Sequence, residues 1–143
     1  LGSVHVPELF HVEAHPSVYQ LVSTIRAHLS AGLDVFDAVQ AAFPPGSMTG
    51  APKRAAMQIL RGLEKGRRGP YSGVLGYFDA RGGADLSVVI RTILVAGGVA
   101  RLHTGGGIVY DSAPDEEWDE AASKVRALLE TIAAVAAEEQ DAA

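Results

Sequence analysis

Cysteine is absent from all 143 residues, which excludes disulfides and thiolate-bound metals. No apolar run approaches the length of a membrane span, and no basic-then-apolar leader opens the chain; a soluble, cytoplasmic protein is the expectation. Nor are the basic residues gathered into a stripe. The Lys and Arg are scattered and the formal net charge is -5, which argues against nucleic acid as the main partner, since phosphate binding needs clustered positive charge. Met is missing from the start, Leu1-Gly2-Ser3-Val4, so the chain reads as part of something longer. What remains is ordinary for a globular domain, with 48% hydrophobic and 20% charged residues. That length is enough to bury a core in one domain.

Periodicity gives the first outline. Residues 4–12 look extended, through Val4, Val6, Leu9, Phe10 and Val12. Pro16 then stands where a helix would begin, and Val18, Leu21, Val22, Ile25 and Leu29 follow at helical spacing up to Gly32. A second helix is expected over 34–42, with Val35, Val39 and Ala42 on one side. The stretch from Phe43 to Gly50, with two prolines and two glycines, is expected as a shaped loop, neither helix nor strand. Ala51-Pro52 opens a third helix. Three extended segments follow at 71–78, 85–95 and 99–104, and the Gly-Gly turns between them suggest an antiparallel meander. Pro114 starts a long last helix, expected to fray from Ala133. Helices followed by a meander indicate an α+β fold.

Four places along this outline hold residues suited to chemistry. In the last helix, Glu117, Glu120 and Lys124 are spaced i, i+3, i+7, within an arc of roughly 60°. That arc borders the apolar side carrying Trp118, Val125 and Leu128. Two carboxylates on adjacent turns suit a hard cation such as Mg²⁺, which completes its shell with water and substrate oxygens; an ordinary solvated face gives the same pattern. Gly105, Gly106 and Gly107 lie between a strand and that helix. Their backbone can approach a ligand and offer N–H groups to an anion, or simply form a flexible exit.

The segment Gly46-Ser47-Met48-Thr49-Gly50-Ala51-Pro52-Lys53 leads into a helix N-terminus, which attracts anions, with two hydroxyls and a lysine around it. It lacks the Gly-Lys-Ser/Thr ending of a Walker loop, and Thr49 is equally suited to plain capping. Arg91 interrupts the apolar run from Val88 to Leu94; it either faces solvent or grips a carboxylate with two bonds, a ligand Tyr71 on the neighbouring strand could share. His11, Glu13 and His15 would share a strand face, but the pattern is not the helical zincin motif. Gly-x-Ser-x-Gly is absent, and Lys65, Arg67 and Arg68 read as a solvated turn.

Taken in order, Phe43 to Lys53, then Ile90-Arg91-Thr92, Gly105-Gly106-Gly107-Ile108-Val109, Asp111-Ser112 and Glu117/Glu120/Lys124 resemble the chorismate-binding enzymes. That family includes anthranilate, aminodeoxychorismate, isochorismate and salicylate synthases. The resemblance runs from about Gly2 to about Leu129. It implies a layered α+β sandwich with packed antiparallel sheets, of which residues 1–143 would be the C-terminal part of one domain. It further implies that Glu120 binds Mg²⁺ with Glu117 beside it. Arg91 and Tyr71 would hold the enolpyruvyl carboxylate of chorismate, and Gly105, Gly106 and Gly107 with Lys124 would serve the ring carboxylate. Ser47 would line the pocket.

The family chemistry displaces the C4 hydroxyl of chorismate and adds a nucleophile at C2 or C4. Gly46-Ser47-Met48-Thr49 and Ala84-Asp85-Leu86-Ser87-Val88-Val89 look more like the aminodeoxychorismate branch. That branch adds ammonia from a glutamine amidotransferase partner on the way to folate. Gln20, in the expected first helix, replaces a histidine common in the family; Gln can hydrogen-bond but carries no charge, and the replacement favours the same branch. The family's Pro-Ile-Lys-Gly-Thr segment, with its nucleophilic lysine, does not occur in this sequence. The resemblance therefore implies the substrate- and metal-gripping portion of an enzyme, inactive by itself. The alternatives are the corresponding part of an anthranilate synthase and a non-catalytic anion-binding or assembly module.

Overall fold

A computed structural model describes residues 2–16 and 18–141, and the chain divides into two compact units, Leu1–Ala41 and Ala42–Ala143. The first unit is built on an antiparallel ribbon of β1 (His5–His15) and β2 (Val18–Arg26), in which Val12 faces Leu21, Glu13 faces Gln20 and His15 faces Val18. The helix expected from Pro16 is thus a strand. Val18, Val22 and Ile25 are β-branched, and an apolar run this short fits either period. The paired strand decides the matter, giving the backbone from Val18 to Val22 a continuous partner in residues 11–15. Two register shifts interrupt the pairing between His5 and His11. Phe10 there takes a positive φ of 52°, and its N–H donates to Ser23 Oγ at 3.1 Å. At the open end the Ser3 hydroxyl donates to the His28 carbonyl and accepts from the His28 N–H.

Helix α1 (Val35–Ala42) begins within one residue of its expected start. Asp34 Oδ1 accepts from the N–H groups of Phe36 and Asp37, and Asp37 Oδ2 accepts from the Asp34 N–H at 2.9 Å. This reciprocal cap satisfies donors that a helix N-terminus would otherwise leave open.

In the second unit the proline- and glycine-rich segment contains one short helical turn, α2 (Gly46–Thr49), so it is not wholly irregular. Thr49 is buried there and donates to the Pro45 carbonyl, while Pro52 occupies the N-cap of α3 (Lys53–Leu63) with no side-chain cap. The capping role expected for Thr49 is therefore not the one it fills. Lys53 is also spent locally: its ammonium donates to the carbonyls of Ala42 and Pro44, at 3.0 and 2.6 Å, and not to an anion. From the end of α3, Glu64 pairs with Arg68 one turn on, and the Arg68 guanidinium reaches back to the Met48 carbonyl and across to Ser72 Oγ.

The meander expected next is two separate ribbons. Strands β3 (Val74–Phe78) and β4 (Ala84–Val88) pair antiparallel, as do β5 (Ile93–Ala96) and β6 (Val99–Leu102). The break falls inside the segment read as one strand over 85–95. Val89 still pairs with the start of the previous segment, exchanging bonds with Ser72 and Gly73. Arg91 then takes a left-handed φ of 49°, outside the extended region of regular strand backbone, and turns the chain into β5. Long helix α4 (Pro114–Asp141) closes the unit and continues past Ala133, where fraying was expected. Asp115, Glu116 and Glu117 fill its first turn, where the helix dipole favours negative charge.

Val89 and Val125 are the buried apolar residues among those described, at 8% and 9% exposure. Trp118, placed by periodicity on the apolar side of the last helix, is 75% exposed. Each ribbon has two strands only. Such ribbons keep free edges and an uncovered face, and a two-stranded ribbon is marginally stable alone.

Within β3, Gly76 lies so close to β4 that a Cβ there would sit 1.9 Å from the Asp85 carbonyl oxygen. Backbone cannot yield as a flexible side chain does. Gly76→Ala should therefore destabilise the second unit by about 2 kcal/mol or more, read as a lower urea midpoint. The Glu64–Arg68 pair makes a second expectation. The Arg68 hydrogen bonds hold the Glu64 carboxyl below its ordinary value near 4.5. A carboxyl depressed on folding contributes stability that is present above its unfolded value and lost as pH falls through the folded one. Thermal stability should accordingly decline from about pH 4.5 downward, and Glu64→Gln should flatten that part of the profile.

Candidate functional site

The turn at Arg91 does more than separate two ribbons. It forms one wall of an open cleft of about 620 Å³ in the second unit, where Arg91 joins Ser47 from α2 and Tyr71 from the approach to β3. Gly105, Gly106 and Gly107, following β6, form another wall, and Lys124 and Val125 of α4 complete it. Residues from positions 47 to 125 thus meet around one space. A non-glycine residue in the left-handed region costs of order 1 kcal/mol or more, and such strain collects where a side chain must be aimed. Ser72, beside Tyr71, shares it with a φ of 70°.

Tyr71 is held on its ring. The His103 imidazole stacks on it at 5.5 Å between centroids and 19° between planes, and the Arg68 guanidinium carbon lies 5.9 Å from the ring centre. Glu64 holds that guanidinium charged, its hydrogen bonds raising the Arg68 value further. The Tyr71 hydroxyl ends next to the glycine segment, 3.2 Å from where a Cβ on Gly105 would be. From the other side the Lys124 ammonium donates to the Gly105 carbonyl at 3.2 Å, while also pairing with Glu120.

Glu117 is the most telling carboxylate. Its Oε1 accepts from the Ser112 hydroxyl, and its Oε2 is buried with no hydrogen-bond partner. That second oxygen lies 2.7 Å from the Cβ position on Gly106, so a side chain at 106 would force the Glu117 carboxylate to shift. A buried acceptor without a donor is costly unless something else meets it. A hard cation fits: Mg²⁺ is held by one or two protein carboxylates with substrate and water oxygens, and Glu120 lies one turn on. No cluster of three His, Cys, Asp or Glu is arranged for a metal among the described residues, so any ion here would draw most of its shell from outside the protein.

Several expectations need correction or extension. Lys65, Arg67 and Arg68, read as a solvated turn, line the cleft. His103, Glu64, Met48 and Thr104 line it too and were not singled out. The signals were faint: a basic turn and one histidine just before the glycines. Arg91 does not sit inside a strand, and its reach comes from the kink. Gln20 is on β2 of the first unit, facing Glu13, and not on a helix. His11, Glu13 and His15 are on β1, where Glu13 and His15 pair at 3.4 Å.

Known proteins place this arrangement. The chorismate binding enzyme family matches residues 1–130. An aminodeoxychorismate synthase from Streptomyces pristinaespiralis is 52% identical over 132 residues, 92% of this chain and 18% of that protein. An anthranilate synthase component 1 from Mycobacterium tuberculosis strain H37Rv is 46% identical over 133 residues, 93% of this chain and 26% of that protein. The crystal structure of anthranilate synthase component I from Streptococcus pneumoniae superposes with a TM-score of 0.81 at 38% identity, covering 85% of this chain and 28% of that one. The chain therefore spans about a quarter or less of the length of these curated relatives. The motifs, the α+β architecture and these matches agree, and the chain belongs to the chorismate binding enzyme family.

Proposed function

We propose that this chain is the C-terminal, substrate- and metal-gripping portion of an aminodeoxychorismate synthase component I. Chorismate is a dianion, so its site needs cations and backbone donors on opposite sides. The observation that carries the reading is the convergence of Arg91, Tyr71, Ser47, Lys124 and the glycine segment on one cleft. In this reading Arg91 and the Tyr71 hydroxyl bind the enolpyruvyl carboxylate. The N–H groups of Gly105, Gly106 and Gly107, with Lys124, bind the ring carboxylate, and Ser47 lines the pocket between them.

Glu120 and Glu117 would hold Mg²⁺, and the open Glu117 oxygen supports that assignment. When bound, the ion supplies positive charge beside the ring as the C4 hydroxyl leaves. The protein's own groups orient the ring and keep both carboxylates fixed. The reaction is amination of chorismate to 4-amino-4-deoxychorismate for folate synthesis, in the cytoplasm, with ammonia from a glutamine amidotransferase. The chain alone grips chorismate without converting it.

The identity to the Streptomyces aminodeoxychorismate synthase, 52%, and Gln20 favour this branch. The 46% identity to the mycobacterial protein supports a second reading, the same portion of an anthranilate synthase component I. Products made from chorismate and ammonia by the complete reading frame separate the two, because anthranilate is fluorescent and forms with loss of pyruvate.

Calorimetric titration tests the grip directly. The purified chain should bind chorismate only with Mg²⁺ present, and Arg91→Gln should weaken binding about tenfold or more, the value of one charge-assisted pair. Chorismate should persist when ammonia is added. Binding indifferent to both Mg²⁺ and Arg91 would overturn the site, and turnover by the chain would overturn its inactivity.

A further inference from the structure

His103 stands just after β6, two residues before Gly105, and lines the cleft half-buried. Its ring lies 5.5 Å from that of Tyr71 and nearly parallel, at 19°. The same short backbone segment therefore carries the ring that restrains Tyr71 and the glycine that the Tyr71 hydroxyl approaches. Tyrosine otherwise has freedom about its side-chain torsions, and among the described residues no hydrogen bond of its hydroxyl fixes it. The restraint comes from ring faces: His103 through stacking, and the Arg68 guanidinium at 5.9 Å.

We propose that His103 is a positioning residue that holds the Tyr71 hydroxyl beside Gly105, so that a carboxylate entering the cleft meets a donor already in place. The inference rests on the chorismate reading for its ligand. It differs from that reading in assigning His103 no contact with the ligand. What matters is a flat ring face, not the imidazole nitrogens. Preorganising a donor removes the cost of ordering it on binding. Stacked aromatic pairs contribute enough to change an affinity by about five- to tenfold.

The test uses three forms of the chain, with Mg²⁺ present. His103→Leu fills similar volume without a ring face, and His103→Phe restores the face without nitrogens. Tyrosine-labelled protein gives ring resonances for four tyrosines, and Tyr71→Phe assigns the one of interest. In the free protein His103→Leu should move the Tyr71 resonances, through loss of the ring current, and His103→Phe should keep them shifted. Chorismate should bind His103→Leu about five- to tenfold more weakly than wild type, and His103→Phe within about twofold of it. Tyr71→Phe should make the His103→Leu change without further effect, since the hydroxyl it positions is gone. Circular dichroism checks that each variant keeps its fold; a His103→Leu chain that does not is replaced by His103→Met. Wild-type affinity in His103→Leu, or failure of His103→Phe to restore it, overturns the positioning role while leaving the chorismate reading intact. A wild-type chain that binds no chorismate overturns both.

Discussion

The Arg68 guanidinium joins three pieces of chain: the end of α3, α2 and the approach to β3. It pairs with Glu64 at the end of α3, donates to the Met48 carbonyl in α2 and to Ser72 Oγ, and lies over the Tyr71 ring. A guanidinium suits this work because its planar fork of donors reaches several acceptors at once, and because it stays charged at any accessible pH. Lysine in the same place would offer a point charge without the ring contact. The cleft inherits its shape from that junction: Ser47 and Met48 on one side and Tyr71 on the other are fixed relative to each other through one side chain. His103 then sets Tyr71 from a second direction. An aimed hydroxyl in an open cleft is thus the product of contacts made by residues that bear no ligand chemistry themselves.

The sequence made the groups proposed to face the ligand legible and hid what positions them. Gly105, Gly106 and Gly107 could be read as a candidate because glycine backbone can approach a ligand closely, although a flexible exit gives the same run. Glu117, Glu120 and Lys124 could be read because helical spacing places them together. Helices α1, α3 and α4 followed from their periodicity. Arg91 was noticed for its polarity, yet nothing in Val88 to Leu94 announces a left-handed turn; β-branched residues on either side argue for a continuous strand. The backbone turns there because Val89 is already paired with Ser72 and Gly73. β2 was misread for a related reason. Its apolar residues suit a helix, and only the partner strand, supplied by residues 5–15, makes the extended form the better one. Basic residues at 65–68 look like any solvated turn until the Arg68 guanidinium is seen over the Tyr71 ring.

The apolar surface of each unit carries the same lesson at larger scale. Leu75 and Tyr77 on β3 are exposed at 72% and 60%, and Leu21 and Ile25 on β2 at 62% and 66%. Scattered apolar residues on a surface are normal, but rows of them along two-stranded ribbons are what a sheet presents before its covering layer is added. The superposition on a chain of which it covers 28% fits that description: the local geometry is that of the larger fold while the faces remain open. Binding groups and packing groups are therefore distributed differently along the sequence. The cleft draws its lining from residues of one unit, whereas the ribbons leave their apolar faces open.

Charge explains why such a cleft would select a dianion. Lys65, Arg67, Arg68, Arg91 and Lys124 line it against a single acid, Glu64, which is already paired with Arg68. The chain as a whole carries a net charge of -5, so the positive field is local and stands out against an acidic background. Lys124 is shared between Glu120 and the Gly105 carbonyl, which holds the ammonium at the boundary between the glycine segment and the carboxylates of α4. In the proposed reading an anion would meet these cations first, with Glu117 and its open oxygen beside Gly106. Carboxylate against carboxylate would be repulsive. A divalent cation between them reverses the sign of that encounter, which is the physical reason an anion site and an acidic helix face can occupy the same corner of one fold.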